Sequence, residues 1–329
     1  MGDHSPVIAE RRYVVISPCR NEANYMRRTL DSVAAQTVPP TLWVVVDDGS
    51  TDATPEILEE YRKKLSYLTV VRRADRGRRS VGPGVIEAFY VGLEAVDLAG
   101  FEYLCKLDLD LDLPPRYFER LISRMEENPR LGTTSGKPYF VQAKTGALVP
   151  EVCGDEMSVG ASKFYRRKCF LEIGGFVREV MWDGIDCHRC RLLGWIADSV
   201  DAEDLRFEHL RPMGSSHQGI WSGRVRTGYG QYFMGTSPLY LVASACFRLF
   251  KYPVLYGSLA MLWGYFSSAA RGVARYGEPA FRRFLRRYQW QCLLHGKPEA
   301  TRRANAAQAP VWHAAHPGAT LAVEARGSA

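Results

Sequence analysis

Four times in the first 120 residues, a short apolar run gives way to an amphipathic stretch. YVVISP (13–18), LWVVVDD (42–48), LTVVRR (68–73) and YLCKLDL (103–109) have the length and content of buried strands. Between them, EANYMRRTLDSVAAQ carries Met26, Leu30 and Val33 at helical spacing, and TDATPEILEEYRKKL has acids early and bases late. The Gly-rich loop RGRRSVGPG leads into a third helix, VIEAFYVGLEAV, and PPRYFERLISRMEE follows the fourth run with Pro in its first turn. Such alternation predicts an α/β fold with a mostly parallel sheet flanked by helices. In these sheets ligands bind beyond the C-terminal strand ends, where Asp47, Asp48, Asp108, Asp110 and Asp112 fall.

The last three acids pose a chemical problem. In CKLDLDLDLPP (105–115), strand alternation would put three aspartates on one face and the leucines on the other. A solvated acidic face is the plain reading, but Asp is depleted in strands. Clustered carboxylates also raise one another's pKa unless a cation joins them. A divalent ion resolves this, and Mg²⁺ commonly takes one or two carboxylates together with substrate phosphates.

Beyond residue 132 the pattern loosens, with a helix expected near 162–171 and another beginning at WDGIDCHRCRLLGW (182–195). Five features then point to one site: PCRNE (18–22), VVVDDGSTD (44–52), the acidic triplet, WDGID (182–186) and HLRPMGS (209–215). On these motifs, over roughly residues 13–228, the sequence resembles the family 2 glycosyltransferases, nucleotide-sugar-dependent enzymes of the GT-A fold. The flavour is that of bacterial polysaccharide-assembly and polyprenyl-phosphate sugar transferases.

The resemblance implies roles. Pro18, Arg20 and Glu22 match the first nucleotide-binding strand end, and Asp47 and Asp48 the acids near the base. Asp108 and Asp110 match the D-x-D that binds ribose and the metal–diphosphate unit, with Asp112 as a third ligand and His209 as a late one. The implied cofactor is Mg²⁺ or Mn²⁺. Asp183, eleven residues before Gly194, matches the catalytic base, with Asp186 in reserve; the Glu that often precedes this base is replaced by Trp182. Arg76, Arg79, Arg224 and Arg226 are candidates for holding the diphosphate, because Arg matches phosphate geometry. The processive-synthase motif Q-x-x-R-W is missing, which favours addition of one sugar.

The expected reaction is inverting transfer from a UDP- or GDP-sugar to a lipid-linked or glycan acceptor, in cell-surface polysaccharide biosynthesis. A sugar nucleotidyltransferase or a non-catalytic nucleotide-sugar-binding membrane protein remain alternatives. The first would normally show a Gly-rich, Lys-bearing loop where PCRNE stands.

Composition bears on location. Hydrophobic residues make up 46% of the 329, enough for a packed core, and the net charge of +7 is weighted towards the bases after residue 270. That excess favours an anionic membrane surface; nucleic acid is not expected as a partner. YLVASACFRLF and VLYGSLAMLWGYFSSAA are apolar and flanked by bases, open as interfacial helices, core helices or a transmembrane hairpin. The lone C-x-x-C of Cys187 and Cys190 reads as helix rather than zinc site, and MGDHSPVIAERR has no secretory core segment. The expected organisation is an N-terminal tail (1–12), a GT-A domain (13–228), membrane-associating helices (229–298) and a disordered Ala-rich tail (299–329). The expected location is the cytoplasmic face of the inner membrane.

Overall fold

The computed structural model describes residues 11–75, 77, 82–142, 145–211, 219–248 and 255–319. β1 (Tyr13–Cys19), α1 (Met26–Ala34), β2 (Leu42–Asp47), α2 (Thr54–Lys64), β3 (Leu68–Arg72), α3 (Pro83–Glu94) and β4 (Tyr103–Leu107) follow one another as the sequence pattern predicts. Next come β5 (Leu111–Asp112), α4 (Tyr117–Glu127), β6 (Leu131–Thr134), β7 (Pro138–Val141) and β8 (Leu148–Pro150). β9 (Ser162–Arg166), α5 (Arg167–Glu172), α6 (Trp182–Leu192), β10 (Ile196–Ala197) and β11 (Phe207–His209) complete the sheet region.

The main sheet has the order β10-β6-β9-β4-β1-β2-β3, and only β9 runs against the rest. All seven residues of β1 are buried, as a strand covered on both faces requires. Its side chains alternate between two cores: Tyr13 and Val15 join Phe118 and Phe164, while Val14 and Ile16 join Phe89 and Tyr165. A second sheet, β5-β11-β7-β8, stands beside the first.

Three expectations need correction. The aspartate triplet is not one strand: β4 stops at Leu107, and β5 belongs to the second sheet. Residues 162–166 are strand, not helix, because Phe164 and Tyr165 serve opposite cores and the segment fills the gap between β4 and β6. The Ala-rich tail is ordered through residue 319. α7 (Gly219–Met234), α8 (Pro238–Arg248), α9 (Tyr256–Ala270) and α10 (Pro279–His295) are followed by α11 (Lys297–Ala307) and α12 (Ala309–Ala315).

One aromatic anchors that tail. Trp312 is buried edge-on to Trp195 at 5.6 Å and stacks on His316 at 4.6 Å. Arg130 donates to the carbonyls of Gly194 (2.9 Å) and Asn305 (2.8 Å), pinning the same contact. Gly194 has φ +82°, and a Cβ there would lie 2.5 Å from the Gln308 carbonyl oxygen, so both conformation and space call for glycine. Among the described residues, no helix is long and apolar enough to cross a membrane.

Candidate active site

The chain leaves β4 at Asp108, and the three aspartates part company. Leu107, Leu109, Leu111 and Leu113 are all buried, so the leucine side is as expected, but each acid finds a different cation. Asp108 Oδ1 accepts from Lys106 Nζ at 2.5 Å. Asp110 Oδ2 accepts from Arg211 at 2.7 Å and lies 3.6 Å from His209 Nε2. Asp112 turns outward: β5 pairs it with Glu208 across the second sheet, and Arg28 bridges the two acids at 2.5 and 2.7 Å. Asp112 is thus paired apart from Asp110 and His209, because two opposed carboxylates need a cation of their own.

His209 reaches Asp110 because β11 places it opposite Leu111. Its other nitrogen, Nδ1, hydrogen-bonds Glu151 at 3.0 Å. Burial opposes the charged imidazole, but the hydrogen bonds to Asp110 and Glu151 outweigh it, and the His209 pKa rises to about 9. Burial also opposes ionisation of Asp110, yet His209 and Arg211 hold it below the ordinary carboxylate range. Asp110 Oδ1 is buried without a hydrogen-bond partner. That orphaned oxygen beside an imidazole is a donor pair suited to a divalent cation that takes its other ligands from phosphates and water. No cluster of three or more such side chains converges among the described residues; of the four residues expected from sequence, Asp110 and His209 lie side by side.

The loops after β1 and β2 are stitched together beside Asp110. Pro18 lies within β1 opposite Val46. Asn21 and Ser50 bond across the loops, as do Glu22 and Thr54. Asp47 accepts from the Ser50 amide at 2.9 Å and so shapes the turn itself. Asp48 accepts from Arg73 at 2.7 Å, while Arg20 donates to the Asp48 carbonyl (2.6 Å) and to Asp75 (2.5 Å). Arg211 also donates to Glu22 at 3.1 Å, so a single guanidinium joins the first loop to Asp110. Arg76 and Arg79 lie outside the described residues.

The opposite wall is the start of α6, entered through Met181, whose φ of +67° is uncommon for a non-glycine residue. Asp183 overhangs Gly160: a Cβ there would sit 3.0 Å from Asp183 Oδ2. Lys106 of β4 and Lys163 of β9 are direct cross-strand partners, both buried, with ammonium groups 5.3 and 5.7 Å from the Trp182 ring. Lys106 also donates to the Gly160 carbonyl (2.9 Å), and Lys163 to the Asp183 carbonyl (3.0 Å). Trp182, where the family often carries Glu, thus lies against a lysine pair through cation–π contact.

Asp186 does not share this wall. It is buried against Lys163 Nζ at 2.5 Å and the Tyr165 hydroxyl, turned into the core and away from Asp183's opening. Burial raises its pKa despite Lys163; burial would lower Lys163, but Asp186 holds it raised. No hydrogen bond or ion pair joins Arg224 or Arg226 of α7 to Asp108, Asp110 or Asp183 among the described residues. Burial, with repulsion from Arg224 beside it, lowers the pKa of Arg248.

Sequence reasoning missed Arg73, Glu151, Arg211, Lys106 and Lys163. Only the lysines left a signal, as charges inside otherwise apolar strands.

Comparison with known proteins bears on the fold and the family. Residues 14–147 match the profile of Glycosyl transferase family 2. The chain is 30% identical over 123 residues to a poly-beta-1,6-N-acetyl-D-glucosamine synthase of Staphylococcus epidermidis, covering 36% of this chain and 27% of that relative. It thus spans about a quarter of the length of that curated relative. In three dimensions it resembles S. aureus TarS 1-349 in complex with UDP-GlcNAc, with a TM-score of 0.52 at 17% identity over 93% of this chain and 92% of that one. It also resembles the mannosyltransferase PcManGT of Pyrobaculum calidifontis in complex with GDP-Man and Mn2+, with a TM-score of 0.50 at 20% identity over 96% and 79%. Residues 14–147 thus match glycosyl transferase family 2, and the chain has a GT-A-like fold.

Proposed function

We propose that the chain is an inverting, metal-assisted glycosyltransferase. It moves one sugar from a UDP- or GDP-sugar to a lipid-linked or glycan acceptor in polysaccharide biosynthesis, at the cytoplasmic face of the inner membrane. The observation that carries this reading is Asp110, with its partnerless buried oxygen, beside His209 at the strand ends and across the Lys106–Trp182–Lys163 unit from Asp183.

The residues divide the work. Asp48 and the stitched loops at β1 and β2 form the nucleotide wall. Asp110 and, once it gives up its proton, His209 would hold Mg²⁺ or Mn²⁺, a Lewis acid that would stabilise negative charge on a leaving diphosphate. Arg211, which bridges Glu22 and Asp110, has the planar donor geometry to turn towards that diphosphate. Asp183 takes the acceptor hydroxyl proton as the hydroxyl attacks, and one base with one displacement gives inversion.

PCRNE in place of a Gly-rich, Lys-bearing loop argues against a sugar nucleotidyltransferase. Trp182 in place of Glu is the one observation favouring a non-catalytic binder.

Calorimetry with UDP-GlcNAc and GDP-Man, with and without Mn²⁺, tests the assignment. Asp110→Ala should lower metal-dependent donor affinity by about 10²-fold, equivalent to about 2.7 kcal/mol, with the fold retained. Unchanged metal-dependent binding in that variant would remove the metal site. Donor hydrolysis by the unaltered chain separates an enzyme from a binder.

A further inference from the structure

Helix α9 is turned the wrong way for a helix in water. Its inward face carries Gly257, Ser258, Ala260, Gly264 and Ser268 beside the core residues Met261 and Tyr265, while Tyr256, Leu259, Trp263 and Phe266 point outward. These four recur at helical spacing along one stripe and are 51%, 56%, 63% and 46% exposed. The inward small residues have a clear reason. A Cβ at Gly228 would lie 2.0 Å from the Met261 carbonyl oxygen, and one at Gly264 2.0 Å from that of Val225, so α7 and α9 touch backbone to backbone. The outward stripe has no such internal reason, and an apolar surface of this kind marks an interaction site.

The surrounding charge identifies the partner. Trp221 of α7 extends the stripe, its ring 4.8 Å from that of Tyr256. Arg224, one turn further along α7, crowds Arg248, and neither has an acidic partner among the described residues. Arg271 follows the other end of the stripe and is exposed. Residues 219–319 hold thirteen Lys and Arg against two acids, Glu278 and Glu299. Both acids are already used, by Arg189 and by Arg302 and Arg303. A second copy of this surface would bring more unmatched arginines and no acid to meet them. An anionic bilayer offers what both features lack: an apolar layer for the stripe and phosphates for the bases.

We propose that α9, with Trp221, Arg224 and Arg248 at its head, is an in-plane docking face for an anionic lipid bilayer. The inference deepens the proposed function by naming how the chain meets its membrane, and it rests on that reading only for the lipid-linked acceptor. Trp and Tyr suit the headgroup boundary, and α9, 15 residues long, lies in the interface rather than through it.

Vesicle flotation of the full chain tests it. Binding to mixed phosphatidylglycerol–phosphatidylcholine vesicles should exceed binding to pure phosphatidylcholine by about tenfold or more and weaken with salt. The triple variant Leu259→Ser, Trp263→Ser, Phe266→Ser should lose at least about tenfold of this binding while its melting temperature holds, since these side chains are outside the core. Arg248→Glu, which converts the Arg224 repulsion into an ion pair, should weaken binding to anionic vesicles alone. Equal flotation of wild type and both variants overturns the proposal, as does a stable dimer in solution that the triple variant dissociates. A chain that binds donor but ignores vesicles overturns this inference and leaves the enzymatic reading standing. A chain that floats but neither binds nor hydrolyses donor does the reverse.

Discussion

At the strand ends of the sheet, cations and anions are matched nearly one to one. Arg20 meets Asp75, Arg73 meets Asp48, Arg211 meets Glu22 and Asp110, Lys106 meets Asp108, and Lys163 meets Asp186. Across residues 219–319, thirteen bases face two acids. The first region settles most of its charges within the chain and, among the described residues, leaves Asp110 Oδ1 without a hydrogen-bond partner. The second pairs Lys297, Arg302 and Arg303 with acids and holds far more bases than acids overall. A site for a small ligand needs a few well-placed vacancies in an organised network; a surface for a bilayer needs many loosely placed charges of one sign.

If that contrast is sound, a change at the strand ends should alter chemistry without altering stability. Asp183→Asn should keep donor affinity and melting temperature while transfer falls by about 10²–10⁴-fold, the range for loss of a general base. Single-turnover transfer and donor calorimetry, run side by side, check this. Loss of donor affinity along with rate would break the contrast, because Asp183 would then be holding the site together.

A change where the helices meet the sheet region should do the opposite. Trp312→Ala removes the aromatic that joins the tail to Trp195 and should cost about 3–5 kcal/mol of stability. Urea unfolding measures it. A single transition shifted to lower urea would show that the tail and the sheet fold as one body; a separate early transition would show that the helices are a detachable layer.

The smallest effect concerns pH. His188 of α6 is buried against Tyr288 and Phe281 of α10, and burial, with nearby cations, pulls its pKa down to about 3. The unfolded imidazole takes its proton near pH 6.5, so the unfolded state binds more protons between about 6.5 and 3. The stability present above pH 6.5 is therefore lost as pH falls, approaching about 1.4 kcal/mol per pH unit well below that point. Melting temperatures from pH 7 to pH 5 should drop less for His188→Leu than for the unaltered chain. Equal drops would mean that His188 is not the group coupling this contact to pH.

The parts of the fold legible in sequence were those whose signals are local. β1 to β4 and α6 announce themselves by period and length, and the acids at strand ends follow from the topology. What escaped was set by distant partners. Asp112 looks like its neighbours until β11 places Glu208 opposite it. The strand at 162–166 exists because two others leave a gap, and the tail is ordered by one tryptophan among alanines. Arg211 carries no mark of its role; its contacts with Glu22 and Asp110 span 189 and 101 residues.

The Lys106–Lys163 pair has a consequence for how such a site can diverge. Both lysines hang from adjacent strands in fixed register, and between them they hold Asp108, the Gly160 carbonyl and the Asp183 carbonyl. The gap between Asp108 and the start of α6 is thus gauged by a ladder of sheet hydrogen bonds, not by loops. Sliding that ladder by one residue would turn both lysines to the far face, so the gauge has no intermediate settings. On the proposed function, loops around it could vary in length and admit different sugars or acceptors while the span between the two walls stayed constant.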